Sequence, residues 1–135
     1  MFALNKIQHV GIPVTNLQLS EAFYKRLGFE NAMSSFFSHK GNEGKVSMMK
    51  SGDIILELYQ MPEEDLREIR ERENGHIDHI AFDVNNIDET LEYLKNNGFD
   101  IIEESPVYLP FWNNGCKYFY ITGPDDERLE FNQIL

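Results

Sequence analysis

The chain has 135 residues, 41% of them hydrophobic and 26% charged, which is enough for one compact domain or two half-domains sharing an apolar interior. Its net charge of −11 has the wrong sign for neutralising phosphates, which excludes nucleic acids and anionic membrane surfaces as partners. No apolar run approaches the roughly 20 residues of a membrane span, the first residues MFALNKIQHV lack a signal-peptide pattern, and a cytoplasmic location is expected.

The single cysteine, Cys116, cannot form an internal disulfide. It fits a reducing compartment and reads as a small, half-buried side chain rather than a nucleophile.

Taken from its start, the chain predicts a strand over 6–14, where Val10, Ile12 and Val14 alternate with other residues. A helix follows, capped near Asn16, with Leu19, Ala22, Phe23 and Leu27 as its apolar stripe. Gly28 suits the left-handed residue that ends a helix. Strands are expected over 29–38, 44–50 and 53–60, with a turn at Ser51-Gly52-Asp53. The segment 62–74 opens on a proline and is rich in helix formers, so it reads as a linking helix. Its acidic run Glu63, Glu64, Asp65 and the mixed charges through Glu73 read as a solvated face.

The pattern then repeats at an offset of 70. Ile7–Glu30 laid over Ile77–Asp100 gives seven identities in 24 positions, among them His9/His79, Asn16/Asn86 and Gly28/Gly98. Chance gives about one. The second half therefore predicts a strand over 76–84, a helix capped within Asn86–Asp88 with Leu91, Leu94 and Tyr93 on its apolar side, and Gly98 as its stop. Strands are expected over 99–106, 115–122 and 127–133, with a loop at 106–114 and a turn at Gly123-Pro124-Asp125-Asp126. Each half, 5–61 and 75–135, is βαβββ, and the class is α+β, two such modules in a single domain.

Strand alternation singles out four side chains. His9 opposes the apolar set of its strand, and His79 does so in the second half. Glu57 opposes Leu56 and Leu58, and Glu130 opposes Leu129 and Phe131. All four fall on the face of the sheet away from the helices. Two imidazoles and two carboxylates form an N₂O₂ set suited to a divalent first-row ion. His39 and His76 have no counterparts in the repeat and read as surface or structural.

The stretches HVGIPVTNLQLSEAFYKRLGFE, ILELYQ, HIAFDV and GPDDERLEFNQ resemble the vicinal oxygen chelate superfamily, which includes glyoxalase I, methylmalonyl-CoA epimerase, extradiol dioxygenases and bleomycin-binding proteins. The resemblance spans about residues 5–133. It implies paired βαβββ modules curled around a metal cleft, and commonly a homodimer. Glyoxalase I is the most similar member, because its metal ligands are His, Glu, His and Glu at the places of His9, Glu57, His79 and Glu130. The epimerase usually has Gln at the place of Glu57.

The resemblance implies a lyase or isomerase with Zn²⁺, Ni²⁺ or Co²⁺ acting on a small hemithioacetal or similar α-hydroxy carbonyl through an enediolate. Glu130 is then the main base, Glu57 its partner, and His9 and His79 the anchors. Phe36, Phe37, Tyr108, Phe111 and Trp112 would line the pocket or pack the core. Another metal enzyme of the superfamily, or a non-enzymatic ligand binder, is the alternative. Two positions depart from bacterial glyoxalase I: Pro13 replaces an arginine and Met61 an asparagine, both contacts to glutathione. Neither side chain can donate a hydrogen bond, which leaves the carrier open between glutathione, another thiol and a different substrate.

Overall fold

Asn16 and Asn86 start their helices in the same way. The Asn16 side chain accepts from the Leu19 N–H at 3.0 Å, and that of Asn86 from the Glu89 N–H at 3.1 Å. Each satisfies a donor that a helix start would otherwise leave bare. Both helices also end alike. Gly28 (φ 94°) and Gly98 (φ 79°) take the left-handed conformation. The Phe29 N–H then reaches back to the Tyr24 carbonyl and the Phe99 N–H to that of Leu94, both at 3.1 Å.

These elements belong to a computed structural model that describes residues 1–26, 28–72, 78–122 and 128–135. Leu27, Glu73, His76 and the turn Gly123-Pro124-Asp125-Asp126 lie outside the described residues. The elements in chain order are β1 (Lys6–Pro13), α1 (Leu17–Arg26), β2 (Glu30–His39), β3 (Asn42–Ser51), β4 (Ile54–Gln60), α2 (Glu63–Glu71), β5 (His79–Asp83), α3 (Ile87–Asn96), β6 (Asp100–Ile101), β7 (Val107–Leu109), β8 (Cys116–Thr122) and β9 (Arg128–Ile134). The class is α+β. The chain divides into two compact units, His9–Asp78 and Met1–Gln8 with His79–Leu135, the boundary falling inside β1.

In the unit His9–Asp78 the strand order is β2-β3-β4-β1, antiparallel except for the parallel pair β1/β4. Its core joins Val14, Met49 and Leu58 to Ile12, Leu56, Leu17, Tyr24 and Phe29. This corrects the expected stripe of α1. Leu19 is 68% exposed and Phe23 46%, and Ala22 is exposed. Leu17 and Tyr24 face the sheet instead, with Glu21 between them. The inward carboxylate is satisfied because the Ser47 hydroxyl on β3 donates to it. Helix α2 is shorter than the expected 62–74. Arg67 pairs with Glu71 along the helix, and Arg72, just past its end, pairs with Glu68.

In the other unit the order is β5-β9-β8-β6, with β7 also on β8, antiparallel except for the parallel pair β5/β9. Its core joins Val84, Ile87, Leu94, Phe119, Ile121 and Phe131. Phe119 and Phe131 stack at 5.3 Å, and Phe2 packs edge-on to Tyr93 at 5.0 Å. Burying the Phe119 and Phe131 rings is worth about 1.5–3 kcal/mol each.

The expected strand 99–106 is only the two-residue β6, and the expected loop 106–114 contains β7. The Glu103 carboxylate explains the break. It accepts from the Tyr120 N–H at 2.7 Å, the donor a longer β6 would have used. Pro106 and Pro110 flank β7 and have no N–H to extend it. Cys116 is fully buried rather than half-buried. No helix among the described residues is long and apolar enough to cross a membrane.

Candidate functional site

The backbone ladders set the candidate side chains. In the first unit β1 and β4 run parallel with Gly11 opposite Glu57 and Pro13 opposite Tyr59. In the second, β5 and β9 run parallel with Ala81 opposite Glu130 and Asp83 opposite Asn132. The histidine of each half stands two residues before the small residue that faces its glutamate. A two-residue step along a strand returns to the same face, so each histidine is directed to its own glutamate.

The distances agree. His9 Nε2 lies 3.6 Å from Glu57 Oε2, and His79 Nε2 lies 3.0 Å from Glu130 Oε2. His9, His79 and Glu130 are buried and Glu57 is partly so. Buried ionisable groups carry a large desolvation cost unless partnered. Here the imidazole and carboxylate of each half partner one another.

Each glutamate strand is also tied to its helix. Gln60 accepts from the Leu17 N–H and Gln133 from the Ile87 N–H, both at 2.9 Å. Each of these glutamines is the third residue after its glutamate. Glu57/Glu130 and Gln60/Gln133 share one spacing, a signal that lies in the sequence beyond the first strand and helix of each half.

Glu130 has further partners. The Asn132 Nδ2 donates to its Oε1 at 2.7 Å, and the Tyr120 hydroxyl donates to its Oε2 at 3.0 Å. Asn132 is itself oriented by Gln8, whose Nε2 donates to the Asn132 Oδ1 at 3.2 Å and to the Asp83 carboxylate at 3.1 Å. Tyr120 lies edge-on to the His79 ring at 5.5 Å, with the Arg128 guanidinium 4.4 Å from its centroid. Alternation alone did not indicate Tyr120, because nothing in a single strand says which tyrosine reaches a neighbouring strand's carboxylate.

The first unit uses the equivalent place differently. Tyr59 stands where Asn132 stands in the second. Burial, then the neighbouring Asp78 carboxylate to which it hydrogen-bonds, hold its hydroxyl well above the usual tyrosine range, so it stays neutral. Arg72 lies 4.0 Å from that carboxylate. Hydrogen bonding to Glu68 keeps the guanidinium firmly charged. A cavity of about 370 Å³ lies beside Pro13, lined also by Ser20, Ile69, Arg70 and Arg72. Met61 is partly buried.

The aromatic side chains expected at a pocket wall separate by burial. Phe36 and Tyr108 are exposed, and Phe111 is buried. Phe37 is half-buried with its ring 6.4 Å from that of Tyr59. Trp112 adopts a left-handed backbone (φ 66°), and its buried Nε1–H has no hydrogen-bond partner among the described residues. His39 lies 3.8 Å from Asp65.

Known proteins resemble this chain in sequence, and solved structures share its fold. A profile of the Glyoxalase/Bleomycin resistance protein/Dioxygenase superfamily matches residues 8–120. The uncharacterized protein YwbC of Bacillus subtilis (strain 168) is 31% identical over 134 residues, 95% of this chain and 97% of its own length. The crystal structure of hypothetical protein BH1468 from Bacillus halodurans C-125 superposes with a TM-score of 0.74 at 25% identity, covering 96% of this chain and 94% of that one. Methylmalonyl-CoA epimerase from Mycobacterium tuberculosis superposes with a TM-score of 0.77 at 17% identity, over 100% and 93% of the two chains.

Proposed function

We propose, for a chain that belongs to the Glyoxalase/Bleomycin resistance protein/Dioxygenase superfamily, a metal-dependent lyase or isomerase activity of the glyoxalase I kind. The reaction moves a proton between adjacent carbons of a hemithioacetal or a similar α-hydroxy carbonyl. The observation that carries this reading is the His–Glu pair formed twice at one ladder position, His9 with Glu57 and His79 with Glu130. Each pair offers an imidazole nitrogen and a carboxylate oxygen, the donor types that suit Zn²⁺, Ni²⁺ or Co²⁺. In this reading all four residues hold the ion, which supplies Lewis-acid stabilisation of negative charge on the substrate's oxygens.

The chain's own groups do the rest. Glu130 removes the proton from one carbon and returns it to the next through Oε2. Asn132 fixes the other oxygen and keeps the carboxylate in one orientation. Glu57 is the partner carboxylate, and His9 and His79 remain in place as anchors. Burial of the histidines and Glu130 keeps bulk water from the proton in transit.

Elemental analysis of the purified protein, together with methylglyoxal turnover across several thiols, tests the reading. About one divalent ion per chain and thiol-dependent, metal-dependent turnover are expected. A metal-free protein, or one inactive with every thiol, sinks it. A second reading, epimerisation next to a thioester, uses the same proton transfer and draws on the fold shared with methylmalonyl-CoA epimerase. Solvent deuterium entering methylmalonyl-CoA without any methylglyoxal turnover favours it. A cytoplasmic homodimer is part of our reading, in keeping with the single cysteine. Sedimentation checks the assembly.

A further inference from the structure

We propose that Tyr120 is a positioning residue that controls how readily Glu130 lets go of a metal ion. The inference rests on the reading of Glu130 as ligand and base given above. It starts from one oxygen atom. His79 Nε2 and the Tyr120 hydroxyl both lie 3.0 Å from Glu130 Oε2, while Asn132 holds Oε1 at 2.7 Å. The Asn132 amide and the Tyr120 hydroxyl thus hold the carboxylate at both ends.

Those donors are fixed in turn. Gln8 orients the Asn132 amide by donating to its oxygen, which leaves the Asn132 Nδ2 aimed at Glu130. Tyr120 is held at its backbone by the Glu103 carboxylate and at its ring by Arg128 and His79. Ordering a hydroxyl this firmly makes its bond to the carboxylate inexpensive in entropy.

A carboxylate oxygen has more than one acceptor direction. With the His79 imidazole serving as a ligand rather than as a donor to Oε2, that oxygen would serve a cation along one and Tyr120 along the other. A donated hydrogen bond withdraws electron density from the oxygen and weakens its hold on the cation. The same bond stabilises the carboxylate once it has detached, because the released charge still has a donor. A group that must alternate between ligand and base needs that property, and the Tyr120 hydroxyl supplies it.

The test is Tyr120→Phe, which removes only the hydroxyl. Both proteins are loaded with Co²⁺, and its release into excess chelator is followed by the visible absorbance of the bound ion. Release from the variant is expected to slow roughly tenfold, with equal or tighter Co²⁺ affinity. Tyr118→Phe alters the ring 5.4 Å away and is expected to release Co²⁺ at the wild-type rate. Unchanged or faster release from Tyr120→Phe overturns the proposal, as does an equal slowing in Tyr118→Phe. Faster release with lower affinity and lower thermal stability marks Tyr120 as a plain support and also overturns it. A wild-type protein that takes up no Co²⁺ overturns the metal reading itself, an outcome distinct from the others.

Discussion

Asn132 donates its side-chain amide to Glu130 Oε1 at 2.7 Å from two places along the same strand. The two residues share a face of β9, and the amide closes one end of a buried carboxylate. Asn132→Leu is expected to cost about 1–3 kcal/mol of stability, because Glu130 Oε1 and the Gln8 amide each lose a partner in the interior. Urea denaturation measures it. A change within experimental error would show that water replaces the amide.

Metal loading gives a second expectation. An ion that binds only the folded chain stabilises it by about 2.7 kcal/mol at a hundred times its dissociation constant. Calorimetry with Zn²⁺ or Co²⁺ should show that gain in the wild type, and Glu57→Ala or Glu130→Ala should lose most of it. A gain that survives in both variants would place the ion elsewhere.

The two helix caps should behave as equivalents. Asn16→Ala and Asn86→Ala each remove a side-chain acceptor from a helix start. Each is expected to cost about 1 kcal/mol. Asn86→Ser, which keeps an acceptor, should recover most of the loss. Equal destabilisation by serine and alanine would argue that the cap bond contributes little.

Tyr59 predicts an alkaline limit to stability. Its hydroxyl stays protonated in the folded chain well above the usual range, owing to burial and to Asp78. The unfolded chain loses that proton near about pH 10. The contribution is thus complete below about pH 10 and falls as pH rises beyond it, since the native state then binds the extra proton. Denaturation midpoints taken from about pH 9 to about pH 11 should fall less steeply in Tyr59→Phe. Parallel curves for the two proteins would remove Tyr59 as the cause.

The elements were legible in the sequence wherever their signals were local. Asn caps, glycine stops and strand alternation located both helices and the faces of the four candidate residues. The stripe of α1 misled because hydrophobicity was read without its partners. Leu19, Ala22 and Phe23 form a good stripe by spacing, yet the sheet offers Ser47, which makes Glu21 the better inward residue. The β7 strand was hidden because its pairing depends on where Glu103 ends β6, a contact across 17 residues. Tyr120 and Gln8 reach Glu130 and Asn132 by long-range contacts that no window of sequence displays.

The ladder register has a consequence for inheritance. Gly11 faces Glu57 and Ala81 faces Glu130 because two parallel strands keep step, not because any loop has a particular shape. Loops lengthen and shorten freely over generations, whereas a one-residue slip in a ladder turns every side chain to the wrong face. A gene segment encoding one such half could be copied whole with its His–Glu geometry intact. Two residues beyond the glutamate the halves differ, with Tyr59 in one and Asn132 in the other.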